Sequence, residues 1–172
     1  MRFAAALSVF VIGVFVIAAS PASAVEFPPR KAGLWEVKTT TPDGHSFAMR
    51  QCVDAQTDQA MQANADAMSK KACSKNNVQT SGNTTTVEAV CTVGGKTRTT
   101  HTVITRVSDA SYTVESTTEG EPATSAMKVA GQWLGPCAAG QKPGDMIMPN
   151  GMKMNVLDMQ KRMPGATGAP PQ

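Results

Sequence analysis

From residue 33 the chain alternates with period two. In "GLWEVKTTTPDGHSFAMRQC", Trp35, Val37 and Thr39 fall on one side and Glu36, Lys38 and Thr40 on the other, the pattern of a strand with one wet face. "PDG" at 42–44 supplies a proline with preset φ and a glycine able to turn, so a second strand is expected from about His45 to Val53. The period then changes. Over residues 54–72, Thr57, Met61, Ala65, Met68 and Ala72 share one helical face while Gln, Asn and Asp fill the rest. Asp54 caps this helix, and Lys70 and Lys71 complement its dipole. Its apolar face is thin, which predicts that it lies against a sheet. Runs rich in Thr and Val follow at about 75–80, 84–92, 97–107, 111–119 and 124–134, broken by "SGN", "GGK", "SDA" and "EGEP". The expected fold is mainly β with a minor α part: an antiparallel meander of about seven strands, forming a curved sheet or half-barrel with one helix.

The ends read differently. Met1 and Arg2, the apolar run Phe3 to Ala19, Pro21 and the triplet Ala22, Ser23, Ala24 have the order of a secretory signal, with cleavage expected after Ala24. An uncleaved anchor is the alternative, since the run approaches the length of a membrane span; Pro21 and the small residues favour cleavage. Residues 1–24 are therefore assigned to the signal, 25–137 to a β domain containing helix 54–72, and 138–172 to a Met-, Gly- and Pro-rich tail with a short helix at 152–163. The last ten residues, "MPGATGAPPQ", lack the apolar content of a core. The mature chain is expected to be a monomer that does not span the membrane, located in the periplasm or secreted.

Without Arg2 the chain carries fifteen Lys and Arg against thirteen Asp and Glu, and residues 25–137 carry eleven of each. A neutral domain lacks the basic stripe that binds phosphates, which excludes nucleic acid as a partner. Cys52, Cys73, Cys91 and Cys137 all follow the signal, where an oxidising compartment favours disulfides. Of three possible pairings, symmetry prefers Cys73 with Cys91, each nine residues from Gly82, which leaves Cys52 for Cys137. Zinc or redox chemistry fits poorly, because the nearest cysteines are eighteen residues apart and no C-x-x-C occurs. The mature part has only five aromatic residues, Phe27, Trp35, Phe47, Tyr112 and Trp133, so its core is expected to depend on these cross-links.

Candidate chemistry is sparse. His45 lies beside a turn and His101 in a strand; a hydrolase built on His101 needs a nucleophile and an acid that spacing does not supply. "GGKT" at 94–97 resembles the end of a phosphate-binding loop but has Val90 where the first glycine belongs. Asn83, Thr84 and Thr85 form a glycosylation sequon only in a eukaryotic host, and Glu115, Glu119 and Glu121 read as solvated charge. No catalytic residue is assigned. The methionines stand apart, six of eleven falling within 144–163. Met152, Val156, Met159 and Met163 are spaced as one apolar helix face, the favoured reading. Alternatively Met146, Met148, Met152 and Met154 make two Met-x-Met pairs across "PNG", a soft thioether set for Cu(I). An exposed, oxidisable segment is a third reading.

The order of "GLWEV", "RQCV", a cysteine after the helix, "VC" and "GQWLGPC" resembles a family of small exported bacterial proteins known as domain of unknown function 3617, over roughly residues 30–145. That resemblance implies a periplasmic antiparallel β domain with paired cysteines and no assigned catalytic residues. The expected function is a non-catalytic binding or envelope-maintenance module, with a small apolar ligand or an envelope protein as partner and no cofactor. Cu(I) handling by the methionines is the alternative.

Overall fold

The computed structural model describes residues 29–120 and 124–162. The signal segment with its cleavage site, Glu121 and Met163 lie outside the described residues. Two strands form the first hairpin, β1 (Gly33–Thr40) and β2 (Ser46–Val53), followed by helix α1 (Ala55–Ala72). Five strands then meander: β3 (Cys73–Ser81), β4 (Thr84–Val93), β5 (Lys96–Ser108), β6 (Ser111–Glu119) and β7 (Ser125–Gly135). The seven-strand pattern read from the periodicity is all here, within one or two residues at most ends. Two short strands, β8 (Asp145–Ile147) and β9 (Lys153–Asn155), and helix α2 (Val156–Arg162) follow. The sheet therefore has nine antiparallel strands in the order β3-β4-β5-β6-β7-β1-β2-β8-β9.

Alternation gives the sheet two unlike faces. One row of partners runs Phe47, Thr39, Val129, Val114, Ile104, Thr85 across six neighbouring strands, and Trp35 and Val37 lie on the same face. The other face carries Glu36, Lys38, Lys128, Glu115, His101 and Glu88. Strand β1 is the most buried element, with Trp35, Val37 and Thr39 all enclosed. Its neighbours β2 and β7 shield it on both sides.

Helix α1 starts after β2 and ends at the first residue of β3, strands six places apart in the sheet. On a flat sheet those places lie about 29 Å apart sideways. The helix must also travel from one end of the sheet to the other, since β2 finishes where the return strands begin. An 18-residue helix is about 27 Å long, so the sheet has to curl for α1 to cross it. The expected half-barrel is thus the shape the connection demands.

The helix docks by its polar N-terminal turn. Asp54 accepts from the Thr57 backbone N–H at 2.8 Å and its own N–H donates to Thr57 Oγ1 at 2.9 Å, a reciprocal capping box. Thr57 and Asp58 are buried, whereas Met68 is 65% exposed. This corrects the apolar stripe Thr57, Met61, Ala65, Met68, Ala72: Thr57 is buried and Met61 and Ala72 are half-buried, but Ala65 and Met68 are exposed, and the buried polar residue beside the stripe, Asp58, is ion-paired with Arg30.

Both disulfides join the pairs that sequence symmetry preferred, Cys73–Cys91 and Cys52–Cys137, and no cysteine is free. The β3–β4 turn is centred between Gly82 and Asn83, a register that would set Cys73 opposite Thr92. One extra β3 residue, Ser74, shifts the pairing so that Cys73 meets Cys91. Cys52–Cys137 pins the chain after β7 to β2, and Gly144 N–H then donates to Cys52 O at 2.8 Å. That tether delivers β8 to the free edge of β2.

Candidate functional site

Trp35 is at the centre of the most elaborate side-chain cluster. Its indole N–H donates to Lys31 O at 2.8 Å, and its ring sits 5.6 Å from that of Tyr112. The two rings belong to strands separated by β7, and they meet because the residue between them is Gly131: a Cβ there would stand 2.1 Å from Tyr112 Cε1. Arg30 covers Trp35 at 5.9 Å, donates to Asp58 Oδ1 at 2.8 Å and reaches Gln51 Oε1 at 3.0 Å. One guanidinium therefore ties the entry to β1, the second strand and the helix together. Nothing in the sequence pattern marked Arg30 or Asp58; residues 54–72 carry Asp54, Asp58 and Asp66, and the helical period does not single out the second.

Beyond this cluster the Trp35 face is open. Met49, Val129, Val114, Ile104 and Val87 are half-buried, and Phe47 and Met127 are exposed at 38% and 40%. From Phe47 to Ile104 the row spans five strands, about 19 Å. Arg98, on the same face of β5, has a buried Nε without a hydrogen-bond partner. A hollow of about 230 Å³ lies mainly on the opposite face, bounded by Lys38, Thr40, Thr113 and the Glu115–Lys128 ion pair at 2.9 Å.

The methionines of the C-terminal stretch are organised by a hairpin. Met146 pairs with Met154, Ile147 with Lys153, and Met148 N–H donates to Met152 O at 2.9 Å. The turn closes through Gly151 N–H to Met148 O at 2.9 Å, with Gly151 at φ +80°. In this register Met146, Met148, Met152 and Met154 alternate onto one face. Met148, Met152 and Met154 line a surface hollow of about 430 Å³ with Pro149 and Asn150. Met146, directly opposite Met154, does not line it, and Gln51 Nε2 lies 3.9 Å from its sulfur. The expected helix 152–163 is shorter: α2 begins at Val156, because the Asn155 side chain accepts from the N–H groups of Leu157 and Asp158 at 3.1 and 3.4 Å. Met152 consequently lies on the turn, 53% exposed and outside the helix that carries Val156 and Met159, so it does not share their face.

Asp145 anchors this hairpin. It is 1% exposed and receives Asn155 Nδ2 at 3.0 Å, Lys142 N–H at 2.9 Å and Lys153 Nζ at 2.7 Å. Burial pushes its carboxyl up, but the donors and the Lys153 charge outweigh this and hold it at about 2.

The remaining candidates stay apart. His101 is about half exposed, 3.9 Å from Glu88 Oε1 across the strand pair, and His45 is exposed 3.7 Å from Asp43. "GGKT" is the β4–β5 turn and its continuation, and Asn83 lies in the β3–β4 turn. Among the described residues no group of three or more His, Cys, Asp or Glu is placed to hold a metal ion, and no helix is long and apolar enough to cross a membrane.

With this geometry in place, comparison with protein families finds one model, described as "Protein of unknown function (DUF3617)", matching residues 30–137. The chain belongs to that family. The match starts at Arg30, the residue that ties β1 to the helix, and ends at Cys137, the second half of the long-range disulfide. Every element from β1 to β7 is thus DUF3617 domain, and the Asp145–Asn155 hairpin and α2 lie beyond it. No curated protein and no solved structure matches the chain.

Proposed function

We propose that this DUF3617 protein is an exported, non-catalytic binding module that holds a small apolar ligand along the open row of the Trp35 face. The observation carrying this reading is the incomplete cover of that row: Val129, Val114 and Ile104 lie side by side half-buried, flanked by exposed Phe47 and Met127. Apolar side chains gathered on one face lose about 25 cal/mol for each Å² left in water, so a ligand that covers them is held by the hydrophobic effect. An open row suits an extended chain better than a compact ring system. The two disulfides indicate an oxidising environment, which supports the reading of the first 24 residues as an export signal.

The test is uptake of a fluorescent long-chain fatty acid by delipidated protein. Saturable binding that Val114→Asp and Val129→Asp abolish while the fold is retained is the expected outcome. Absence of uptake by the wild-type chain overturns the reading. Export is checked separately, by the mass of the mature product, which should begin at Val25.

A further inference from the structure

We infer that the hairpin Asp145–Asn155 is a binding site for a single soft monovalent cation, Cu(I) or its redox-inert surrogate Ag(I), held by the thioethers of Met148, Met152 and Met154. Three independent features carry this. The register sends four methionines to one face of a two-stranded ribbon, and three of them, Met148, Met152 and Met154, line one hollow. Thioether sulfur is a soft, neutral donor that selects Cu(I) over harder divalent ions, and three such donors complete a trigonal site. The competing ligands are spent or remote: all four cysteines are in disulfides, and both histidines lie on other strands or turns, beside carboxylates. A soft ion meeting this chain in an oxidising compartment finds thioethers and no thiolate.

The hairpin is also held ready for such a ligand. Its open end is fixed by the buried Asp145 with Lys153 and Asn155, and its first strand is fixed to β2 by pairing of Met146 with Gln51 and Ile147 with Arg50. The loop end carrying Met148 and Met152 projects past the β2 pairing, where Met152 is exposed. Met146 has a different role: with Gln51 Nε2 near its sulfur, it seats the hairpin on the sheet and is not a ligand. This assignment is independent of the apolar row, because the hairpin lies outside the DUF3617 match.

The experiment uses the full mature, oxidised chain. Ag(I), and Cu(I) supplied anaerobically as its acetonitrile complex, are titrated against a chromophoric chelator and the stoichiometry is read by native mass spectrometry. One ion per chain is expected. Replacing Met148, Met152 and Met154 together by Leu should weaken retention by about 100-fold or more, whereas Met146→Leu should change it by less than about threefold. In parallel, methyl-labelled methionine spectra of the wild-type chain with Ag(I) should shift the signals of those three residues and leave Met49, Met61, Met68 and Met127 unmoved. A wild-type chain that retains no ion, a triple variant that folds and retains it unchanged, or shifts spread over all methionines would each overturn the site.

Discussion

Asp58 and Asp145 are buried carboxylates with different partners, and each fixes one part of the molecule. Asp58 is ion-paired with Arg30, whose side chain is 18% exposed. Removing the cation strands a buried charge, so Arg30→Ala should destabilise the fold by about 3 kcal/mol, read from the urea midpoint. Asp145 has its carboxyl lowered to about 2 against its donors. A group whose folded pKa lies below its unfolded value contributes stability that is complete above the unfolded value near 4 and is lost as pH falls toward 2. Acid unfolding should therefore lose roughly 2 kcal/mol across that window, and Asp145→Asn should be less stable at pH 7 with a flatter acid limb. Gly131 is constrained by space: a methyl there meets the Tyr112 ring. Gly131→Ala should cost about 1–3 kcal/mol and alter the near-ultraviolet circular dichroism of Trp35 and Tyr112.

At the level of elements, the cap decides α1. Asp54→Ala removes half of the capping box and should lower stability by about 1 kcal/mol, while Met68→Glu, on the solvent side, should change it by less than about 0.5 kcal/mol. Thermal melts of the two variants separate the docked end of this helix from its free face. The hairpins and α1 were legible because each is written locally: a strand period, a Gly or Asp at a turn, a capping residue. The β8–β9 ribbon was not, since three-residue strands give no measurable period. Its formation depends on Cys52–Cys137 and on Gly144 reaching Cys52 O. The methionine spacing was visible, but its meaning changed when Asn155 ended the strand and started α2, leaving Met152 on the turn.

For the whole molecule, the two cross-links compensate for a core with few aromatic rings, Trp35 being the only aromatic residue among the buried hydrophobic side chains described. In the chain-entropy account a loop of 85 residues is worth about 4.5 kcal/mol and one of 18 about 3 kcal/mol. Replacing Cys52 and Cys137 by Ser should therefore destabilise the chain more than replacing Cys73 and Cys91, as denaturant midpoints would register, and should release the C-terminal hairpin to proteolysis. By itself the sequence determined the strands of the main sheet, their turns and the helix, because these follow from alternation and local turn chemistry; it also pointed to the right cysteine partners, although Cys73 meets Cys91 only through the Ser74 bulge, which the symmetry about Gly82 does not contain. The tertiary structure alone decided the β1–β7 pairing, the Arg30–Asp58 pair, the open row beside Trp35 and the seating of the methionine hairpin on the edge of β2. Those depend on which distant segments share a surface, and a side chain's partner across 28 or 100 residues leaves no period in the chain that carries it.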